Sequence, residues 1–258
     1  MNIVPPTKTP SREEAIELTR GPYAEIFAKT IAGSIAPFLW CEPEAQGGLN
    51  VRNGTAFFVS GGQTFLVTAD HVFAGYLNSR QKFGTVTRCQ LGNAVFDPEQ
   101  RLIARSTTLD IATFEISLDE IKRTQSAKWA MSFDPLVPQK GRGVVIAGFP
   151  RSARIRLSEL EIKNGIFDAL TVAENITKRQ ISGHFERDRQ VDAPWRPTAP
   201  PGYDLRGVSG APLITVVDSK NLHYWRLGGV VTQFNENLEI FYAARADFIL
   251  PDGTLKQI

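Results

Sequence analysis

A serine between two glycines is the feature of this 258-residue sequence with the clearest chemical potential. Ser209 lies in the stretch DLRGVSGAPLI, residues 204–214, between Gly207 and Gly210. A serine hydroxyl becomes a nucleophile when an imidazole accepts its proton, a carboxylate orients the imidazole and backbone N–H groups stabilise the oxyanion. Small residues and proline also suit any turn before a strand, so the stretch alone fits a surface loop equally well.

Candidates for the base and the carboxylate lie upstream, and histidine occurs only three times in the chain. His71 follows the apolar segment FLVTA, where we expect a polar side chain at the end of a strand. Asp110 begins the segment DIATFEI, where a charge needs a partner. Asp70 is a poorer partner for His71, because successive strand residues point to opposite faces. We expect the remaining histidines, which lack such partner motifs, to be structural: His184 and His223.

The order of these residues along the chain separates two classes of serine hydrolase. Here the order is histidine, aspartate, serine, whereas α/β-hydrolases run serine, acid, histidine and carry Gly-x-Ser-x-Gly between a strand and a helix. Position 211 is alanine, and a proline and a predicted strand follow it, so this class is disfavoured. Glycine at 207 and 210 permits the sharp backbone that would present the Gly207 and Ser209 N–H groups together.

Six short motifs follow one another along residues 34 to 248. They are GTAF (54–57), TADH (68–71), DIA (110–112), AGFP (147–150), GVSGAP (207–212) and LGGVV (227–231). Together they resemble the motifs of trypsin-like (chymotrypsin-fold) serine proteases of the compact bacterial kind. The resemblance implies a serine endopeptidase with a His71–Asp110–Ser209 triad and an oxyanion hole at the Gly207 and Ser209 amides. It implies a cleft between two barrels and no metal or organic cofactor.

The resemblance also implies a primary substrate pocket. Tyr203 would lie at its base and Phe234 on its wall, while Thr232 occupies a position where members often have a serine that bonds the catalytic acid. No carboxylate is expected at the base of this pocket. We therefore expect cleavage after small or medium apolar residues rather than after lysine or arginine.

The residue before the candidate nucleophile departs from the digestive members of the family. Those members carry an aspartate that binds a newly cut N-terminus, and this chain has Val208. We therefore expect no activation by N-terminal cleavage, and instead an activating protein partner that orders the loop 187–208. The alternative function is a catalytically silent or partner-gated binding module with a protease fold.

The alternation of apolar residues predicts an all-β fold of two six-stranded antiparallel β-barrels with an N-terminal helical extension. Strands are predicted at 54–60, 63–69, 83–91, 94–97, 110–116, 144–148, 157–163, 166–172, 211–217, 225–234 and 238–244. The predicted units are the extension (1–33), the first barrel (34–125), a linker (126–141) and the second barrel (142–258).

Composition limits the partners and the compartment. A net charge of +2 is too small to indicate a nucleic-acid surface, and no apolar run is long enough to span a membrane. The first residues do not have the pattern of a secretory signal. The two cysteines form neither a metal motif nor a disulfide framework, which favours the cytoplasm. We expect a protein or peptide substrate.

Overall fold

A computed structural model describes residues 20–45, 47–125, 128–158, 161–185, 203–219 and 222–257. Most of this part of the chain forms two curled antiparallel sheets, each a half-barrel, with a helix before the first strand. The predicted all-β, chymotrypsin-like two-barrel class is therefore confirmed. In the described ranges the sheets contain eight and seven strands, where the sequence predicted six in each barrel.

The first half-barrel has the strand order β5-β4-β1-β2-β3-β7-β6, with β8 parallel to β2. Its strands are β1 Ile35–Pro43, β2 Leu49–Ser60, β3 Thr64–Thr68, β4 Cys89–Leu91, β5 Ala94–Phe96, β6 Leu102–Ser106, β7 Ile111–Glu115 and β8 Met131–Ser132. The predicted hairpin at 54–69 is present as β2 and β3, which pair from Phe57 with Val67 to Ser60 with Thr64.

The second half-barrel has the order β12-β9-β15-β16-β17-β14-β13, and β10 and β11 form a separate hairpin. Its strands, with that hairpin, are β9 Gly143–Gly148, β10 Arg154–Arg156, β11 Ile162–Asn164, β12 Phe167–Val172, β13 Asn175–Ile176, β14 Gln180–His184, β15 Pro212–Ser219, β16 Leu222–Asn235 and β17 Ile240–Arg245. The strand predicted at 157–163 is reduced to β11, because residues 157, 158 and 161 lie outside the strands, and positions 159 and 160 of that prediction lie outside the described residues.

Four α-helices accompany the sheets in the described ranges: α1 Pro22–Ser34, α2 Asp70–Phe83, α3 Pro98–Arg101 and α4 Leu118–Thr124. None of these described helices combines the length and the apolar character that a membrane span needs.

Helix α2 corrects two predictions. His71 lies in the first turn of this helix rather than at the end of a strand, and the strand predicted at 83–91 is reduced to β4. The buried residues of the helix recur at helical spacing: Val72, Phe73, Tyr76 and Ser79. The helix ends before Gly84, whose φ of 67° suits glycine.

Helix α1 packs across both half-barrels. Phe27 and Ile31 are buried in the cluster that joins the two sheets, together with Phe57 of β2 and Val145 of β9. The Phe27 and Trp225 rings lie 4.5 Å apart between centroids. Two further clusters fill the space between the first sheet and α2 and the interior of the second half-barrel.

The segment that connects the half-barrels places a lysine against α1. Lys128 Nζ donates a hydrogen bond of 2.6 Å to the carbonyl of Ala32, near the C-terminal end of the helix. Burial lowers the pKa of Lys128 from its ordinary value of 10.5 to about 8. Below pH 8 the folded protein therefore holds a poorly solvated ammonium group, which reduces its free energy of unfolding.

We predict that Lys128→Met stabilises the protein at pH 7 by about 1–2 kcal/mol, since it removes this charge but also the hydrogen bond to Ala32. The difference should shrink between pH 8 and 10.5, because there the folded wild type loses the proton before the unfolded chain does. Urea unfolding across this pH range measures it. Lys29→Met is the control, because Lys29 lies on α1 and its side chain is 74% exposed. This variant should change the free energy of unfolding by less than about 0.5 kcal/mol. A gain for Lys128→Met that is constant with pH would contradict the prediction.

Candidate active site

His71 and Asp110 form a hydrogen-bonded pair. The His71 Nδ1 and Asp110 Oδ2 atoms lie 2.8 Å apart, and the backbone N–H of His71 donates to Asp110 Oδ1, also at 2.8 Å. Two contacts to one carboxylate orient the imidazole through Nδ1 and leave its other nitrogen, Nε2, outside this pair, and the His71 side chain is 50% exposed. The arrangement can therefore hold a neutral imidazole with its proton on Nδ1.

Asp110 ends a turn and immediately precedes β7. Its φ is 56°, in the left-handed region that aspartate tolerates better than most residues. The turn before it is held by Ser106, whose hydroxyl accepts a hydrogen bond from the Leu109 N–H. The left-handed residue allows the carboxylate to face α2 while Ile111 enters the buried strand, where it is fully buried.

Two glycines shape the turn that carries Ser209. Gly207 has a φ of 101° and Gly210 a φ of 87°, so both occupy conformations that favour glycine. A Cβ on Gly210 would lie 2.1 Å from the carbonyl oxygen of Thr55 and 3.0 Å from the backbone nitrogen of Ala69. The turn thus lies directly against β2 and against the N-terminus of α2, two residues before His71.

Thr55, which is fully buried, fastens the Ser209 turn to the first half-barrel. Its backbone N–H donates to the carbonyl of Ser209 and its hydroxyl donates to the carbonyl of Gly207, both at 2.8 Å. The same hydroxyl accepts from the N–H of Phe149, and the Thr55 carbonyl accepts from the hydroxyl of Thr68. Sequence analysis placed Thr55 in a motif but did not predict that it fastens the Ser209 turn. In the sequence, only the small hydroxyl residue directly after Gly54 indicates this role.

The Ser209 turn leaves two backbone donors available. Within the described ranges, the N–H groups of Gly207 and Ser209 have no hydrogen-bond acceptor. Between them, the backbone N–H of Val208 donates to the carbonyl of Leu205. The Val208 side chain is fully buried in the second half-barrel. The two unengaged donors can therefore bind an oxyanion.

The hydroxyl of Ser209 is turned toward the second half-barrel. Ser209 Oγ donates a 3.4 Å hydrogen bond to the carbonyl of Thr232, and no hydrogen bond joins it to His71 in the part of the chain that is described. The structure therefore brings the turn of Ser209 to the helix of His71 without a hydrogen bond between the two side chains. The Thr232 hydroxyl donates to the Tyr242 carbonyl, not to Asp110.

An ion pair between a buried carboxylate and a partly exposed guanidinium fixes the first turn of α2. Both carboxylate oxygens of Asp70, whose side chain is only 4% exposed, accept hydrogen bonds from Arg105, at 2.7 and 2.9 Å. The hydrogen bonds that Arg105 donates to Asp70 raise the pKa of the arginine, and its guanidinium lies 5.1 Å from the centroid of the Phe73 ring. Asp70 thus pairs with an arginine that sequence analysis missed and not with the imidazole. Strand alternation, from which this was expected, is not the reason, because Asp70 and His71 both lie in α2.

The predicted substrate-pocket residues lie in one aromatic cluster. Tyr203 is half-buried and stacks on Phe167 with centroids 6.1 Å apart, and Phe234 contacts Phe185 edge to face at 6.3 Å. Burial raises the pKa of the Tyr203 hydroxyl. The wall they form is apolar, although Asp204 follows Tyr203 directly. Burial alone would raise the pKa of the Asp204 carboxyl, but hydrogen bonds from Arg206 lower it below its ordinary value.

His184 forms a separate pair with a carboxylate. His184 Nδ1 lies 2.7 Å from Glu174 Oε2 on the surface of the second half-barrel, while the side chain of His223 and most of the loop 187–208 lie outside the described residues. Among the residues that the structure describes, no three His, Cys, Asp or Glu side chains cluster as metal ligands.

Comparisons with known proteins were made for the sequence and for the fold. No protein-family model and no curated protein sequence matches the chain. The fold is similar to the active form of the Rv3671c protease from M. tuberculosis, with 18% identity over 96% of this chain and 90% of that chain and a TM-score of 0.46. It is also similar to a Glu endopeptidase in complex with MPD, with 13% identity, coverage of 88% and 87% and a TM-score of 0.44.

We predict that Arg105→Met lowers the free energy of unfolding by about 3 kcal/mol or more, because it leaves the Asp70 carboxylate buried without its partner. The double variant with Asp70→Asn should recover more than half of the loss. Urea unfolding measures both, and Arg52→Met, at an exposed ion pair with Glu42, is the control with an expected loss below about 1 kcal/mol. Equal losses in the single and double variants would contradict a role for the buried charge.

We predict that Thr55→Val destabilises the protein by about 1–3 kcal/mol, since the buried Gly207 carbonyl and Phe149 N–H lose their partner without a change in volume. Thr55→Ser keeps the hydroxyl and should cost only about 0.5–1.5 kcal/mol for the lost methyl group. The two variants are compared by urea unfolding. A valine variant more stable than the serine variant would be inconsistent with the contacts described for Thr55.

Proposed function

We propose that this protein is a serine endopeptidase in which Ser209 is the nucleophile, His71 the general base and acid, and Asp110 the residue that orients the imidazole. The observation that carries the proposal is the bidentate His71–Asp110 pair, which lies beside a glycine turn that bears a serine and two unengaged N–H groups. The two structural neighbours are proteases by name, and the fold is that of such enzymes.

In the proposed reaction, Ser209 Oγ leaves the Thr232 carbonyl, transfers its proton to His71 Nε2 and attacks the carbonyl carbon of the peptide bond. Asp110 remains ionised and stabilises the imidazolium that forms. The oxyanion accepts hydrogen bonds from the Gly207 and Ser209 N–H groups. His71 then donates its proton to the leaving amine, and water hydrolyses the acyl-enzyme by the same steps.

The proposed substrate is a protein or peptide with a small or medium apolar residue before the scissile bond. The aromatic wall of Tyr203 and Phe234 supports this preference, since apolar side chains gain most from such a surface. We infer a cytoplasmic enzyme, because Cys41 and Cys89 are both free thiols, as expected in a reducing compartment.

One observation favours the second candidate, a module gated by a partner. The Ser209 hydroxyl bonds Thr232 rather than His71, so a rotation about its Cα–Cβ bond must precede attack. Activation by a new N-terminus is not proposed, because the buried, apolar Val208 offers no carboxylate for an ammonium group. A partner that favours the rotated serine would activate the enzyme by shifting this equilibrium.

We predict that a fluorophosphonate probe labels the wild-type protein once, at Ser209, and that Ser209→Ala and His71→Ala abolish labelling. Asp110→Asn should lower kcat for peptide hydrolysis on the order of 10⁴-fold, because the wrong imidazole tautomer is then favoured. Intact-mass spectrometry and a fluorogenic peptide library provide the measurements. Ser132→Ala, at an exposed serine of β8, is the matched control and should label normally.

The outcomes separate the two candidate functions. Labelling that persists in Ser209→Ala would mean that another serine is the nucleophile. A wild-type protein that is never labelled, yet unfolds cooperatively, would favour the catalytically silent module.

A further inference from the structure

A long groove separates the first half-barrel from the β10–β11 hairpin. Its volume is about 830 Å³, within the range of ligand-binding sites in proteins. One wall is the outer face of β1 and β2, and the other is the hairpin. Apolar side chains from both walls line it, together with one thiol: Leu39, Cys41, Val51, Leu157 and Ile162.

The charges along the groove are predominantly positive. Arg88, Arg156 and Lys163 line it and are exposed, and among the described residues the lining contains one carboxylate, that of Glu161. In the described part of the chain none of these three cations forms an ion pair, and Arg156 Nε only donates to the carbonyl of Ser158. Arg52 of β2, by contrast, forms an ion pair with Glu42. The groove therefore attracts a partner with negative charge.

The two walls are tied together, so the groove exists before anything binds in it. Arg154 of β10 donates to the carbonyl of Val51 at 2.6 Å and to the side chain of Asn53, both on β2. Asn53 in turn donates to the carbonyl of Phe149, which precedes the hairpin. A preformed groove loses less conformational entropy on binding than one that must first close.

We propose that this groove is the docking site for an extended peptide segment of a partner protein in which acidic residues alternate with apolar ones. The apolar side chains of the segment would cover Leu39, Val51 and Leu157, and its carboxylates would pair with Arg156 and Lys163. Nucleic acid fits less well, because a strand needs closely spaced cations and exposed rings on which its bases stack, whereas the rings of Trp40 and Phe149 in the lining of this groove are only 7% and 4% exposed. The proposal does not depend on hydrolysis, since docking is measured directly.

Fluorescence anisotropy of a fluorescein-labelled peptide that alternates Glu with Leu tests the docking, with the Ser209→Ala protein to prevent cleavage. We expect saturable binding that weakens with added salt, and loss of binding when Lys replaces Glu in the peptide. The double variant Arg156→Glu with Lys163→Glu should weaken binding on the order of 10-fold or more. Lys178→Glu, an equally exposed cation on the turn between β13 and β14, is the matched control and should bind as before. Urea midpoints verify that the variants remain folded.

A native thiol provides a second readout inside the groove. Cys41 lines it and is partly exposed, whereas Cys89 is 1% exposed. Burial raises the pKa of the Cys41 thiol, so alkylation with N-ethylmaleimide is best followed above pH 8. We expect one modification, at Cys41, which slows as the acidic peptide saturates the protein and is unaffected by the Lys-substituted peptide.

Several results would overturn the proposal. These are absent binding of the acidic peptide, equal binding of the acidic and basic peptides, unchanged affinity in the double variant, and alkylation of Cys41 that saturating peptide does not slow. Displacement of the peptide by a single-stranded oligonucleotide would assign the groove to nucleic acid. A dimer in analytical ultracentrifugation that the double variant dissociates would assign it to a second copy of the chain.

Discussion

The candidate site depends on the contact between Thr55 of β2 and the turn that carries Ser209. Thr55 donates both its N–H and its hydroxyl to carbonyls of that turn, and it does so where water is excluded. Hydrogen bonds in such surroundings are expensive to leave unmade, so the contact tolerates little displacement. The approach is possible because Gly210 has no side chain, since a Cβ would overlap the Thr55 carbonyl. One hydroxyl and one missing methyl group thus set how the two half-barrels meet.

Around this contact, each half-barrel positions its own part of the site by a different means. The first uses a helix, whose initial turn is fastened by the Asp70–Arg105 ion pair so that both the backbone and the ring of His71 can bond Asp110. The second uses a glycine turn, which backbone hydrogen bonds from Val208 and Gly210 hold and which the Thr55 hydroxyl fastens to the first half-barrel. The imidazole is therefore held by a carboxylate, and the serine turn mainly by backbone hydrogen bonds.

Much of this arrangement could be predicted from the sequence, because it follows from local patterns. Alternating apolar residues predicted most strands, and the glycines at 207 and 210 predicted a sharp turn whose positive φ values are present. The signals of α2 were also there, with Asp70 in its first turn and Gly84 after its end, but the apolar residues before His71 favoured a strand. Contacts between distant residues could not be predicted, and the bond from Arg105 to Asp70 joins positions 35 residues apart. Residue type alone does not reveal which partner the fold brings near.

The division of the site between two sheets has a consequence for control. His71 and Asp110 belong to the first half-barrel and Ser209 to the second, so the distance from the proposed base to the proposed nucleophile depends on how the two half-barrels are placed. A shift of about 1 Å between reacting groups can change a rate by about 100-fold. A small tilt of one sheet against the other can therefore change the rate of the proposed reaction while every strand stays intact. Helix α1 contacts both sheets through Phe27 and Ile31, so a movement of this helix can produce such a tilt.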